Sequence, residues 1–130
     1  MFRHTPVEFD ELETETVNGK RYYKTPSGAK YPSVTTVCGL MKAKAIQEWR
    51  SRVGEKEANK VSTQASNRGT KVHKLCEDYV NNIDLDFTKV MPSNLFMFKQ
   101  IKPILDAYLE NVYAVEVPLY SDYLETAGRV

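Results

Sequence analysis

The dipeptide Asn18-Gly19 constrains this chain more than any other feature. Both residue types tolerate positive φ, so together they favour the tight turn that joins two antiparallel strands. Residues 7–17 approach it with stretches of apolar-polar alternation, and Arg21, Tyr22, Tyr23 and Lys24 begin a return strand. Pro26, Ser27 and Gly28 make a second turn. The first thirty residues are therefore expected to be β structure.

After Tyr31-Pro32 the spacing becomes helical. Ser33 stands as an N-cap, Val34, Val37 and Leu40 fall on one apolar face, and Gly39 predicts a short helix. A second helix is expected over residues 43–53, with Ile46 and Trp49 on its buried side and Gly54 at its end. A third runs over residues 55–81, with Gly69 as a point of interruption, and Asn81, Asn82 and Asp84 mark a loop. Residues 92–111 describe another amphipathic helix that Pro103 should bend or divide. Residues 112–119 and 123–130 alternate again and read as two strands about Ser121-Asp122. The expected class is α+β: an N-terminal hairpin, several helices, then strands.

At 130 residues and 42% hydrophobic, the chain has the size and composition of one soluble globular domain. No run approaches the ~20 apolar residues of a membrane span, and the acidic start resembles neither a secretory nor a transit signal. A cytoplasmic address and no membrane partner are expected. Cys38 and Cys76 are too few for a disulfide framework or a four-cysteine metal site, and both are expected to be buried thiols. The net charge of +1 conceals a strong partition. Residues 42–74 carry nine basic against three acidic side chains, whereas residues 75–130 carry four against nine. A polyanion-facing segment beside a carboxylate-rich segment fits that asymmetry, as does a solvated helical face.

Three segments carry candidate chemistry. At the helix start beginning with Ser33, backbone N–H groups and the Ser33, Thr35 and Thr36 hydroxyls offer donors to a DNA phosphate, although a plain N-cap uses the same residues. In the run from Asn67 to Glu77, His73 and Glu77 lie four apart and so project from one helix face toward a shared ion. Zinc is disfavoured, since the only other histidine is His4 and no HExxH pair exists. A lone histidine on such a helix also suits simple packing. The third segment is Glu116-Val117-Pro118-Leu119-Tyr120 with Thr126-Ala127-Gly128-Arg129-Val130.

Taken in order, Pro32-Ser33-Val34-Thr35, Trp49-Arg50, Arg68-Gly69-Thr70-Lys71-Val72-His73 with Glu77, and Gly128-Arg129-Val130 resemble the exonuclease family of tailed phages. That family is similar to the mitochondrial genome maintenance exonuclease and, more remotely, to RecB-like nucleases of the PD-(D/E)XK class. Its pattern is a "PSVT" helix start, a Trp-containing basic helix, an "RGxxxH" helix with an acid one turn later, and a "GxxD" strand.

The resemblance implies a mixed sheet flanked by helices and a Mg²⁺- or Mn²⁺-dependent phosphodiesterase acting on ends of single-stranded DNA in repair or recombination, inside a bacterial host cell if phage-encoded. It implies a metal-ligand role for His73, with Glu77 beside it, and DNA contacts from Ser33, Thr35, Thr36, Arg50, Arg68 and Lys71. The whole chain, residues 1–130, is then the front portion of one nuclease domain: a hairpin in 1–30, a helical DNA-facing part in 31–111 and the first core strands in 112–130. The family's strand-borne Asp and its Asp/Glu-x-Lys pair would fall after Val130, so the expectation is an inactive fragment that needs a missing C-terminal half. Two other readings remain open: a non-catalytic single-stranded-DNA-binding or recombination accessory protein, and a phage structural or adaptor protein.

Overall fold

The computed structural model describes residues 1–130 as a mixed α+β chain of three α-helices and seven short strands. No helix is long and apolar enough to cross a membrane. The chain divides into two compact units, Met1–Pro6 with Val53–Tyr113 and Val7–Arg52 with Ala114–Val130.

In the second of these, strands β2 (Thr14–Val17) and β3 (Lys20–Lys24) form the expected hairpin, with Asn18 at φ 50° and Gly19 at φ 75°. Both central residues are left-handed, as a type I′ turn requires. The strand before the turn is shorter than the alternation in residues 7–17 predicts. A strand lasts only as long as its partner, and β3 gives way to the turn at Pro26-Ser27-Gly28, where Gly28 has φ 87° and its N–H donates to Thr25 at 2.9 Å. Strand β4 (Lys30–Pro32) then returns antiparallel along β3, and Lys30 bridges to Glu15 at 2.8 Å.

Helix α1 (Val34–Val53) joins what the sequence divides into two helices. Gly39 lowers helix propensity by about 1 kcal/mol, but its φ is not positive and no capping residue follows, so the strong helix formers of residues 40–45 carry the helix through. Gly54 does stop it, at φ 87°. Val34, Val37, Leu40 and Ile46 are exposed, Trp49 is half-buried, and no residue of α1 is fully buried. The 3.6-residue spacing is present, yet the predicted buried face is not. Cys38 is also exposed, contrary to expectation, and Cys76 is half-buried, which pushes its thiol pKa up.

The unit closes with β6 (Pro118–Ser121) and β7 (Thr126–Arg129), an antiparallel ribbon as the tail predicts, but both strands start later than expected, Glu116 adopting φ 56° before the first, and β6 runs through Ser121, where the turn is expected. A parallel bridge joins Ala127 of β7 to Ser33, while the Ser33 N–H donates to the Arg21 carbonyl of β3 at 2.9 Å. Tyr31 donates to Asp122 at 2.6 Å, and that bond holds its phenol proton so that the pKa rises to about 12.

In the other unit, α2 (Glu55–Val80) packs on α3 (Pro92–Tyr108). Neither Gly69 nor Pro103 interrupts its helix. Phe98 is 1% exposed and meets Tyr79 edge to face at 5.5 Å and Phe87 at 6.0 Å, with Val72 and Val80 also buried. Strands β1 (Arg3–His4) and β5 (Asn111–Val112), which the sequence reading misses, pair in parallel. Two side chains fasten the start of the chain to the end of α2: His4 Nε2 donates to the Val80 carbonyl at 2.8 Å, and Asn82 exchanges two 2.8 Å bonds with the backbone of Phe2.

Candidate nucleic-acid interface

The predicted site residues fall into two groups, one in each unit. Ser33 is 4% exposed and ends β4 at the point where α1 begins. Its Oγ accepts from the Thr36 N–H at 3.1 Å, the N-cap bond to the third helical residue. The same oxygen lies 2.7 Å from Thr36 Oγ1 and 3.1 Å from Thr35 Oγ1. The three hydroxyls are thus brought together, but that of Ser33 is already used in capping. Replacing Ser33 with alanine should cost about 1 kcal/mol of stability, read as a lower denaturation midpoint; an unchanged midpoint would show that the cap contributes nothing.

A hollow of about 550 Å³ opens beside this helix start, lined by Val34 and Thr35 and by two basic residues to which the sequence reading gives no binding role, Arg21 and Arg129. Arg129 is engaged with Glu11 at 2.6 Å and with the Glu116 carbonyl. Gly128 lies against α1, since a Cβ there would stand 3.5 Å from the Val34 side chain. Pairing register could have flagged Arg21, because the return strand after Asn18-Gly19 carries it to the cap of α1. Arg50 sits half-buried in the last turn of α1.

The second group lies along α2. Between Val61 and Cys76 the helix has no acidic residue and carries Arg68, Lys71 and Lys74. Arg68, Lys71 and His73 are exposed, so His73 is a surface side chain of the helix. Glu77 follows one turn later, half-buried, with Lys74 3.5 Å from its carboxylate. Lys74 also bridges to Asp78 at 2.9 Å, and this hydrogen bond chiefly raises its pKa. No group of three or more His, Cys, Asp or Glu side chains is gathered closely enough to hold a metal ion. His73 and Glu77 are therefore a pair of donors, short of a full ligand set.

No protein family, curated protein or solved structure matches the chain. An exposed cationic helix face offers charge-assisted hydrogen bonds to phosphate oxygens, and a helix start rich in hydroxyls offers further donors.

Proposed function

We propose that the chain is the DNA-handling portion of a metal-dependent DNA exonuclease of the PD-(D/E)XK class, acting on single-stranded ends. The observation that carries the reading is the exposed, acid-free stretch of α2, where Arg68, Lys71 and His73 stand in the order of the nuclease motif. In this reading Arg68 and Lys71 hold strand phosphates, Thr35 and Thr36 offer donors at the start of α1, and Arg50 adds charge. His73 supplies a nitrogen ligand to Mg²⁺ or Mn²⁺, with Glu77 beside it. A hard cation of this kind needs several further oxygen ligands; with those in place beside His73 and Glu77, it would supply activation of water for attack on phosphorus. The 130-residue polypeptide is accordingly expected to bind DNA and weakly bind metal without cutting.

Titrating Mn²⁺ into isotope-labelled protein tests the metal assignment. Paramagnetic broadening should centre on His73 and Glu77 and vanish in His73→Ala. Undisturbed His73 signals would contradict it, and DNA binding that persists without any metal effect would instead favour a non-catalytic accessory protein. Robust degradation of single-stranded DNA by the 130 residues would show that the ligand set is complete without further strands.

A further inference from the structure

The first turn of α3 faces a cationic cluster in which Lys74 and Lys89, outside the motifs, stand with Arg68 and Lys71 of the α2 motif. We propose that this turn binds a phosphate group through the Ser93 and Asn94 backbone N–H groups, the Asn94 carboxamide, and the Arg68 and Lys71 side chains of α2. The DNA reading enters only in the further assignment of that phosphate to a nucleic-acid strand.

Helix α3 begins without a cap. Pro92 has no N–H, the N-cap residue Met91 makes no side-chain capping bond, and the first helical bond runs from Leu95 N to the Met91 carbonyl at 3.0 Å. The N–H groups of Ser93 and Asn94 therefore have no acceptor within the helix. No acidic residue occupies that turn to complement its positive end.

An uncapped helix start is common on protein surfaces, and by itself would mean nothing. Asn94 sets this one apart. Its residue is 4% exposed, its carboxamide makes no hydrogen bond within the chain, and yet no buried polar atom is sealed from solvent without a partner. What remains exposed is thus its polar tip, which opens into two adjoining hollows of about 230 and 380 Å³ that share Lys71, Met91 and Asn94. The rest of the residue is packed, so this N–H₂ is held in place and open toward the hollows, ready to donate to an acceptor that enters them.

The charges around the hollows select an anion. Arg68 lines the larger one, Lys74 and Lys89 the smaller, and Lys71 both. Lys74 is held by Asp78 and Glu77, and Lys89 by Asp86 at 3.0 Å, so they contribute mainly field. Arg68 and Lys71 have no carboxylate partner and remain available for the ligand. A tetrahedral phosphate accepts along several directions at once and can use backbone, amide and cationic donors together.

The experiment is a titration of the full chain with inorganic phosphate at constant ionic strength, followed by amide NMR. Saturable shifts are expected at the Ser93 and Asn94 backbone amides and at the Asn94 side-chain N–H₂. Asn94→Asp keeps the shape but places a negative charge against the anion and should weaken binding about tenfold or more; Lys71→Gln, at an exposed position, should weaken it less without touching the fold. Absence of saturable shifts, or unchanged affinity in both variants, would overturn the site.

An oligonucleotide with and without a 5′-phosphate then identifies the source. Shifts at Ser93 and Asn94 with both mean an internal strand phosphate, and shifts with only the phosphorylated strand mean a terminal one. A response to inorganic phosphate but to neither strand would uphold the site and sink the DNA reading.

Discussion

Truncating Phe98 to alanine is expected to cost about 3 to 5 kcal/mol of unfolding free energy, the largest loss from any single side chain. Phe98 is the most deeply buried large side chain, at 1% exposure. Tyr79 presents its edge to it and Phe87 lies tilted at 6.0 Å, so its removal opens a void where α2, α3 and the turn at Phe87–Lys89 come together. Tyr79 is otherwise fixed by its bond to Asp106 at 2.6 Å and by Phe2 at 5.2 Å, which limits collapse into the void. The whole stability of a domain this size is only about 5 to 15 kcal/mol. Urea denaturation followed by circular dichroism should show much of the helical signal lost at lower denaturant. Phe96→Ala, two residues away but 65% exposed, should move the midpoint little. Equal effects of the two would mean that the α2–α3 interface is not the centre of its unit.

The second large effect is on binding. The double substitution Arg68→Gln and Lys71→Gln should weaken affinity for single-stranded DNA on the order of tenfold at low salt. Each lost phosphate contact should also lower the salt dependence of the binding constant by ~0.7 in the log-log slope. Substituting Lys20 and Lys99, which are exposed cations outside the α2 stretch, provides the comparison. If both pairs weaken binding alike, the attraction is diffuse, and α2 has no special place in it.

Local chemistry was legible in the sequence wherever one residue decides the backbone. Asn18-Gly19, Gly28, Gly54 and the Ser33 cap each impose a conformation that neighbours cannot override, and all four stand where expected. Glycine inside a helix is weaker evidence. It adds a cost but forces no break, so Gly39 and Gly69 both pass within helices. Nor does periodicity tell whether anything packs on a face, which is why Val34, Val37 and Ile46 form a stripe yet remain exposed.

The placement of the candidate site residues was legible to the same degree. Arg68, Lys71, His73 and Glu77 lie along one helix as their spacing requires. Arg21 and Asn94 could not be read in this way: they reach their places through strand pairing and helix packing, which bring together residues far apart in the chain. The parallel pair of β1 with β5 was hidden for the same reason, since two-residue strands carry no alternation to detect.

The central claim is that this chain holds single-stranded DNA by its phosphates. Fluorescence anisotropy of a labelled single-stranded oligonucleotide, across about 50 to 200 mM salt, tests it most directly. The account predicts binding that weakens linearly in log-log form with a slope of about 2 to 3, equivalent to three or four neutralised phosphates. No binding at the lowest salt, or binding indifferent to salt, would contradict it.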